Sequence, residues 1–279
     1  MLRDFVKMHG AGNDYIYFDC FESPLENPSE LAVKLSSRRF SIGADGIILV
    51  HPSQVADARM QMFNADGSEG KMCGNGIRCV AKYLYDYKKI GKSLLTVETL
   101  AGIKTIRLAI EHDVAVRATV DMGIASFEAD TIPMHVEGTC IERSITVLGQ
   151  VWHCTAVSMG NPHAVIFTDE VDHMPVERFG PSFEHHILFP EGVNTEFAKI
   201  ISPTHIKMRV WERGSGETLA CGTGASATVA AAVKLGKCPA NTPVKVDLLG
   251  GSLTIIVSKD YHVSMEGPAE VAFEGKVRV

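Results

Sequence analysis

Two cysteines occur in the same setting. Cys73 opens Cys73-Gly74-Asn75-Gly76, and Cys221 opens Cys221-Gly222-Thr223-Gly224. A thiol can carry a proton to or from carbon when its pKa is brought toward neutrality, and its thiolate is a competent base. Each tetrapeptide lies between a strand-like run and a helical pattern, so each cysteine falls at a helix start. Backbone N–H groups there lack intrahelical acceptors, and the helix dipole is positive. That setting favours the thiolate, and the same N–H groups suit a carboxylate. The glycines allow a ligand close to the backbone. The chemistry implied is inversion of a stereocentre: a base takes a proton from one face while an acid returns one to the other. Such a reaction needs no metal and no imine cofactor. Taken singly, either cysteine reads as a buried structural thiol; it is the matched pair that points to catalysis. Cys79, two turns into the first helix, reads as core. Cys20, Cys140, Cys154 and Cys238 have no partner motif and read as structural.

The elements around the two motifs repeat as well. RMQMFNADGSEGKMCGNG (59–76) aligns without a gap with KMRVWERGSGETLACGTG (207–224), at an offset of 148 residues. The same offset sets Gly12-Asn13 on Gly160-Asn161, and VETLAG (97–102) meets VDLLGG (246–251) one residue further on. A repeat of half the chain predicts two similar domains whose equivalent residues can converge on one cleft. Strand-like runs at Arg59–Asn64 and Ile206–Glu212 precede the two motifs. Ile77, Val80, Ala81 and Leu84 have helical spacing, with an expected end near Gly91. ASATVAAAVKL (225–235) is apolar nearly all round, as a buried helix is, and is expected to end near Gly236. Strand pairs follow at Ile106–Ile110 with Val114–Val120, and at Leu253–Val257 with His262–Met265. The fold class is α+β, with strands surrounding one buried helix in each half. The expected domains are 1–122 and 123–265, with Gly123–Thr139 as the crossover.

Composition narrows the function classes. A chain of 279 residues fits two modest domains, and 46% hydrophobic residues suffice for two cores. A net charge of -6 gives no basic footprint for nucleic acid. Arg3, Asp4 and Lys7 interrupt any signal-peptide pattern, and no apolar run reaches membrane-spanning length, so neither export nor membrane insertion is expected. Seven cysteines, an odd number with no CxxC, suit a reducing cytoplasm and predict no metal site.

These motifs resemble the diaminopimelate epimerase family. Its signature stands here as Asn64, Asp66, Gly67, Ser68, Cys73, Gly74, Asn75, Gly76 and Arg78. Its second motif stands as Glu212-Arg213-Gly214 and Ala220-Cys221-Gly222-Thr223-Gly224. GAGNDY (10–15), GNPH (160–163) and GVNTEF (192–197) are similar too. The resemblance covers essentially the whole chain. It implies two pseudo-symmetric domains, each a strand barrel around a central helix, with the tail 266–279 rejoining the first. It also implies a cytoplasmic homodimer, no cofactor, and interconversion of L,L- and meso-diaminopimelate in lysine and peptidoglycan-precursor biosynthesis. Residue by residue, it makes Cys73 and Cys221 the acid–base pair. Gly74, Asn75, Gly222 and Thr223 become the clamp for the reacting carboxylate, and Glu212 a partner of the reacting amino group. Asn13, Asn64, Asn161, Asn194 and Arg213 hold the distal end, where amides and a guanidinium fork match an ammonium and a carboxylate. His163 and Glu212 tune the thiols. Gly46 stands where some members carry a glutamine and cannot supply its side-chain contact.

Three other readings use the same residues. A proline racemase or hydroxyproline epimerase also pairs cysteines, but the asparagine set and Glu212-Arg213 suit a substrate with a charged distal end. A redox or metal protein would show stoichiometric zinc or a redox activity. A non-catalytic binding module would hold diaminopimelate without exchanging its α-hydrogen.

Overall fold

A computed structural model describes residues 2–279. The chain divides into two compact units, residues 2–121 with 266–279, and residues 122–265. In chain order the first unit contains β1 (Leu2–Gly10), β2 (Asn13–Asp19), α1 (Pro28–Ser36), β3 (Gly46–His51), β4 (Ala58–Asn64), β5 (Glu69–Gly70), α2 (Gly74–Asp86), β6 (Leu94–Thr99), β7 (Gly102–Glu111) and most of β8 (Val114–Ile124). The second contains β9 (Arg143–Val147), β10 (Gln150–Ser158), β11 (Pro162–Phe167), α3 (Val176–Glu184), β12 (Asn194–Ser202), β13 (His205–Glu212), β14 (Gly216–Thr218), α4 (Gly222–Lys234), β15 (Val244–Leu248), β16 (Gly251–Val257) and the start of β17 (His262–Pro268). The end of β17 and β18 (Glu270–Arg278) belong to the first unit.

The two units repeat in register as well as in sequence. In the first, β1–β2 is antiparallel, β2–β3 parallel, β3–β4 antiparallel, β4–β6 parallel and β6–β7 antiparallel. In the second, β10–β11, β11–β12, β12–β13, β13–β15 and β15–β16 follow the same sequence of directions. Tyr15 pairs with Gly46 as His163 pairs with Asn194, and Phe63 with Glu69 as Trp211 with Glu217. Each of these partners lies 148 residues from its counterpart. The β1–β2 and β10–β11 connections both turn through a glycine with positive φ, Gly12 at 82° and Gly160 at 90°, where a side chain is costly.

Each sheet bends around its central helix. α2 touches β1, β2, β4, β6 and β7, and α4 touches β10, β11, β12 and β16. A helix on a flat sheet buries one face, but these two are buried almost all round. The two cations inside α2 end on oxygen acceptors. Arg78 donates to Gly74 O at 3.2 Å and Pro268 O at 3.1 Å, and Lys82 donates to Asp86 Oδ2 and Ala115 O, both at 2.6 Å.

The outer face of each sheet carries a second helix that periodicity did not predict. α1 packs Ala32 and Leu35 with Phe18, Ile47 and Leu49. α3 packs Phe179 and Phe183 with Phe197 and Trp152, whose rings meet edge to face at 5.2 to 6.2 Å. α3 contains Gly180 and Pro181, which argue against a helix from sequence. Gly180 is required there, since a Cβ would lie 2.3 Å from the Trp211 ring. A further correction concerns α2, which stops at Asp86 rather than near Gly91. Lys89 takes the left-handed conformation (φ 55°), and Ile90 N–H returns to Leu84 O at 3.1 Å. Among the described residues no helix is long and apolar enough to cross a membrane.

Candidate active site

Cys73 and Cys221 are the N-caps of α2 and α4, both 13 residues long. Both have the extended backbone an N-cap needs, φ/ψ −127°/120° and −119°/112°. Each sulfur accepts the N–H of the third helical residue, Gly76 or Gly224, at 3.3 Å. Neither first turn itself contains an acidic residue. A short antiparallel turn delivers each cysteine, through β4–β5 in one unit and β13–β14 in the other.

In the first unit the Cys73 thiol donates to Asn13 Oδ1 at 3.3 Å. Asn13 Nδ2 donates to Asp45 Oδ2 at 2.8 Å, and Arg38 bridges Asp45 and Asp14 at 2.8 and 2.7 Å. Burial opposes ionisation of Asp14, but bonds from Arg38 and Lys7 bring its carboxyl below the usual range. Burial pushes Asp45 upward, the Asp14 N–H and Arg38 working against it. Asn64 bonds Ser68 Oγ at 3.0 Å across its own turn, and Asn75 is buried in the first turn of α2.

In the second unit Cys221 is buried. Thr223 Oγ1 lies 3.4 Å from its sulfur, and Asn161 Nδ2 donates to that hydroxyl at 3.4 Å. Asn161 Oδ1 faces His163 Nε2 at 3.0 Å, and His163 Nδ1 bonds Glu196 Oε1 at 2.7 Å, with both side chains fully buried. Glu212 bonds Thr218 and lies near the thiol. Burial pushes Glu212 up, and it pushes Cys221 well above the ordinary thiol range, with Glu212 and Glu196 adding to the effect. The helix start alone predicts a depressed thiol pKa; in the unliganded protein burial and two carboxylates outweigh it at Cys221. Asn194 ties Pro162 O at 2.8 Å to Arg213 N–H at 2.9 Å, so its amide braces the turn before Cys221. The Arg213 side chain reaches Glu191 O at 2.9 Å on an exposed surface.

Thus Asn13, Asn64, Cys73, Gly74 and Asn75 belong to the first unit, and Asn161, His163, Asn194, Glu212, Arg213, Cys221, Gly222 and Thr223 to the second. Three charged residues near the thiols were given no role in the sequence reading. Asp45 sits in a loop read only for its missing glutamine. Glu196 breaks the apolar character of β12 at the position that repeats Ile48, a visible signal. Arg78 is fully buried on α2 and within electrostatic reach of Cys73. Gly46 has its own explanation: a Cβ there would lie 2.0 Å from Phe63 O, so any side chain forces β3 from β4.

The fold is shared with solved proteins of low sequence identity. A Bacillus anthracis phenazine biosynthesis protein of the PhzF family superposes with TM-score 0.75 at 19% identity, covering 100% of both chains. A hydroxyproline epimerase from Agrobacterium vitis superposes with TM-score 0.72 at 14% identity, covering 99% of this chain and 92% of its own. At such identities the likeness concerns the fold alone. The sequence goes further, since the family profile described as diaminopimelate epimerase matches residues 5–128 and 155–272. Proteins named diaminopimelate epimerase from Methanococcus maripaludis and Acetivibrio thermocellus are 49% and 50% identical, over 99% and 98% of both chains respectively. The chain belongs to the diaminopimelate epimerase family.

Proposed function

We propose that this protein interconverts L,L-2,6-diaminopimelate and meso-2,6-diaminopimelate by proton transfer between two thiols, without a cofactor. The observation that carries this reading is the placement of Cys73 and Cys221 at one repeated N-cap in two units of one register. One sulfur, as thiolate, takes the α-proton and becomes a thiol. The electron pair left on the α-carbon delocalises into its carboxylate. The other thiol delivers its proton to the opposite face and is left as thiolate, so one turnover exchanges the two protonation states.

Carbanion charge accumulates on the carboxylate, where the positive ends of α2 and α4 are of most use. Gly74, Asn75, Gly222 and Thr223 are the clamp for it. Glu212 takes the reacting ammonium. An ammonium beside Glu212 offsets the negative charge that raises the Cys221 thiol, so substrate itself would help ionise the base. Asn13, Asn64, Asn161, Asn194 and Arg213 serve the distal end. His163 and Glu212 tune the thiols. None of the seven cysteines is in a disulfide, which suits the reducing cytoplasm. The family resemblance makes the assembly a homodimer.

Incubation of the reduced protein with L,L-diaminopimelate in heavy water tests the reading. The expected result is meso product with deuterium at the inverted α-carbon. Absence of exchange with folded, reduced protein would refute the substrate, and exchange into proline or trans-4-hydroxyproline instead would move the chain to that chemistry.

A further inference from the structure

We propose that Asp45 is a positioning residue that, by orienting the Asn13 amide, sets the protonation of Cys73. The proposal rests on the reading of Cys73 as a proton-transfer group. Asp45 ends the loop between α1 and β3 and is fixed from several sides. Its Oδ2 accepts from Asn13 Nδ2 at 2.8 Å and from Asp14 N–H at 3.0 Å, and its Oδ1 accepts from Arg38 Nη2 at 2.8 Å. Its backbone N–H donates to Asp14 O at 2.8 Å, and its carbonyl accepts from Ala65 N–H at 2.9 Å, in the turn that leads to Cys73.

A carboxylate has no donor, so Asn13 must present its Nδ2 to Asp45. The other end of the same amide, Oδ1, then faces Cys73 Sγ at 3.3 Å. That oxygen has no donor either, so the hydrogen between them belongs to sulfur. A thiolate would face a carbonyl oxygen with no proton between, which disfavours ionisation. Arg78 and Cys79 on α2 and Tyr17 on β2 are further charged or titratable groups within reach of Cys73. Lys7, Asp14 and Arg38 lie behind Asn13.

The second unit does not repeat this wiring. The position that repeats Asp45 is Val193, which is fully buried. The asparagine that repeats Asn13 is Asn161, which bonds His163 and Thr223 instead. The frame needs no carboxylate at this point, since the second unit builds the same ladders without one. Asp45 is therefore a feature of the first thiol rather than of the fold.

The test is alkylation of the free, reduced, full-length protein by iodoacetamide between pH 6 and 9.5, with Cys73 and Cys221 peptides quantified separately by mass spectrometry. Asp45→Ala removes the carboxylate oxygen that accepts from both Asp14 N–H and Asn13 Nδ2, so the bond that holds the Asn13 NH2 away from Cys73 is lost. Asn13 then turns its amide and offers N–H to sulfur. The expected result is faster Cys73 alkylation at neutral pH, on the order of tenfold, with Cys221 unchanged. In an Asn13→Ala background the same change is expected to alter the Cys73 rate less than about twofold. Asp45→Ser, whose hydroxyl can still accept from Asp14 N–H, is run alongside in case the first variant unfolds, and the same acceleration is expected. A Cys73 rate within about twofold of wild type in the folded variants would overturn the proposal. So would an undiminished acceleration without Asn13, which would mean charge acting through space. The readout needs no turnover, so failure here is separate from failure of the substrate assignment.

Discussion

His163 and Glu196 form a buried pair whose two single removals are together expected to cost more than removal of both partners at once. Their 2.7 Å bond lies at zero side-chain exposure, and Glu196 Oε2 has no hydrogen-bond partner among the described residues. Glu196→Leu keeps most of the volume but strands His163 Nδ1, for about 1–3 kcal/mol. His163→Leu strands a fully buried carboxylate that already has one bare oxygen, for about 3–5 kcal/mol. The double variant strands only the Oδ1 of Asn161 and is expected to cost about 1–3 kcal/mol, giving a coupling of at least about 1 kcal/mol and about 4 kcal/mol at the midpoints of these ranges. The chain's two tryptophans, Trp152 and Trp211, both lie in the unit that contains this pair, so fluorescence during urea unfolding reports on that unit. A 3 kcal/mol loss moves the midpoint by roughly 1–2 M urea. Additivity of the two single losses within about 0.5 kcal/mol would refute the account of a coupled pair.

Cys73→Ala or Cys221→Ala is expected to lower epimerisation by at least about 10²-fold with the circular dichroism spectrum intact, and full activity in either variant would end the two-thiol mechanism. Cys79→Ala is expected to retain activity while changing alkaline stability. Burial raises the Cys79 thiol to about 11. A raised thiol stabilises the fold fully below the unfolded value near 9, and this contribution is lost as pH rises through about 11. The variant should therefore lose up to about 2–3 kcal/mol less stability than wild type between those limits, measured by urea unfolding at each pH. Gly46→Ala is expected to cost about 1–3 kcal/mol or more, read as a lowered unfolding midpoint, because its Cβ meets a backbone carbonyl that cannot rotate away.

The parts of this architecture that were legible in the sequence are those where a local requirement leaves a residue signature. A cysteine N-cap followed by glycines marks α2 and α4, and the 148-residue offset carries the strands before them. What escaped was decided by tertiary contact. α3 exists despite Gly180 and Pro181 because Trp211 packs against that glycine and Phe179 and Phe183 cap the sheet. α2 ends early because Lys89 accepts a left-handed conformation that glycine-based reasoning assigns to Gly91. The Cys221 environment was legible as a helix start, but its burial against Glu196 and Glu212 depends on strands far away in sequence. Asp45 was visible in the sequence, yet its role depends on a long-range bond to Asn13, 32 positions earlier.

The first unit is discontinuous in the chain, and this has a consequence for synthesis. Residues 122–265 contain the six ladder strands of the second unit in one continuous stretch, so these strands have their ladder partners before β18 is made. β1 leaves the ribosome well before its antiparallel partner β18, from Glu270 to Arg278. Until β18 emerges, one edge of the sheet in the first unit stays unpaired, a template open to strands of other nascent chains. Lys7 and Asp4 on that strand, charges on an edge, guard it in the interval until β18 pairs with it.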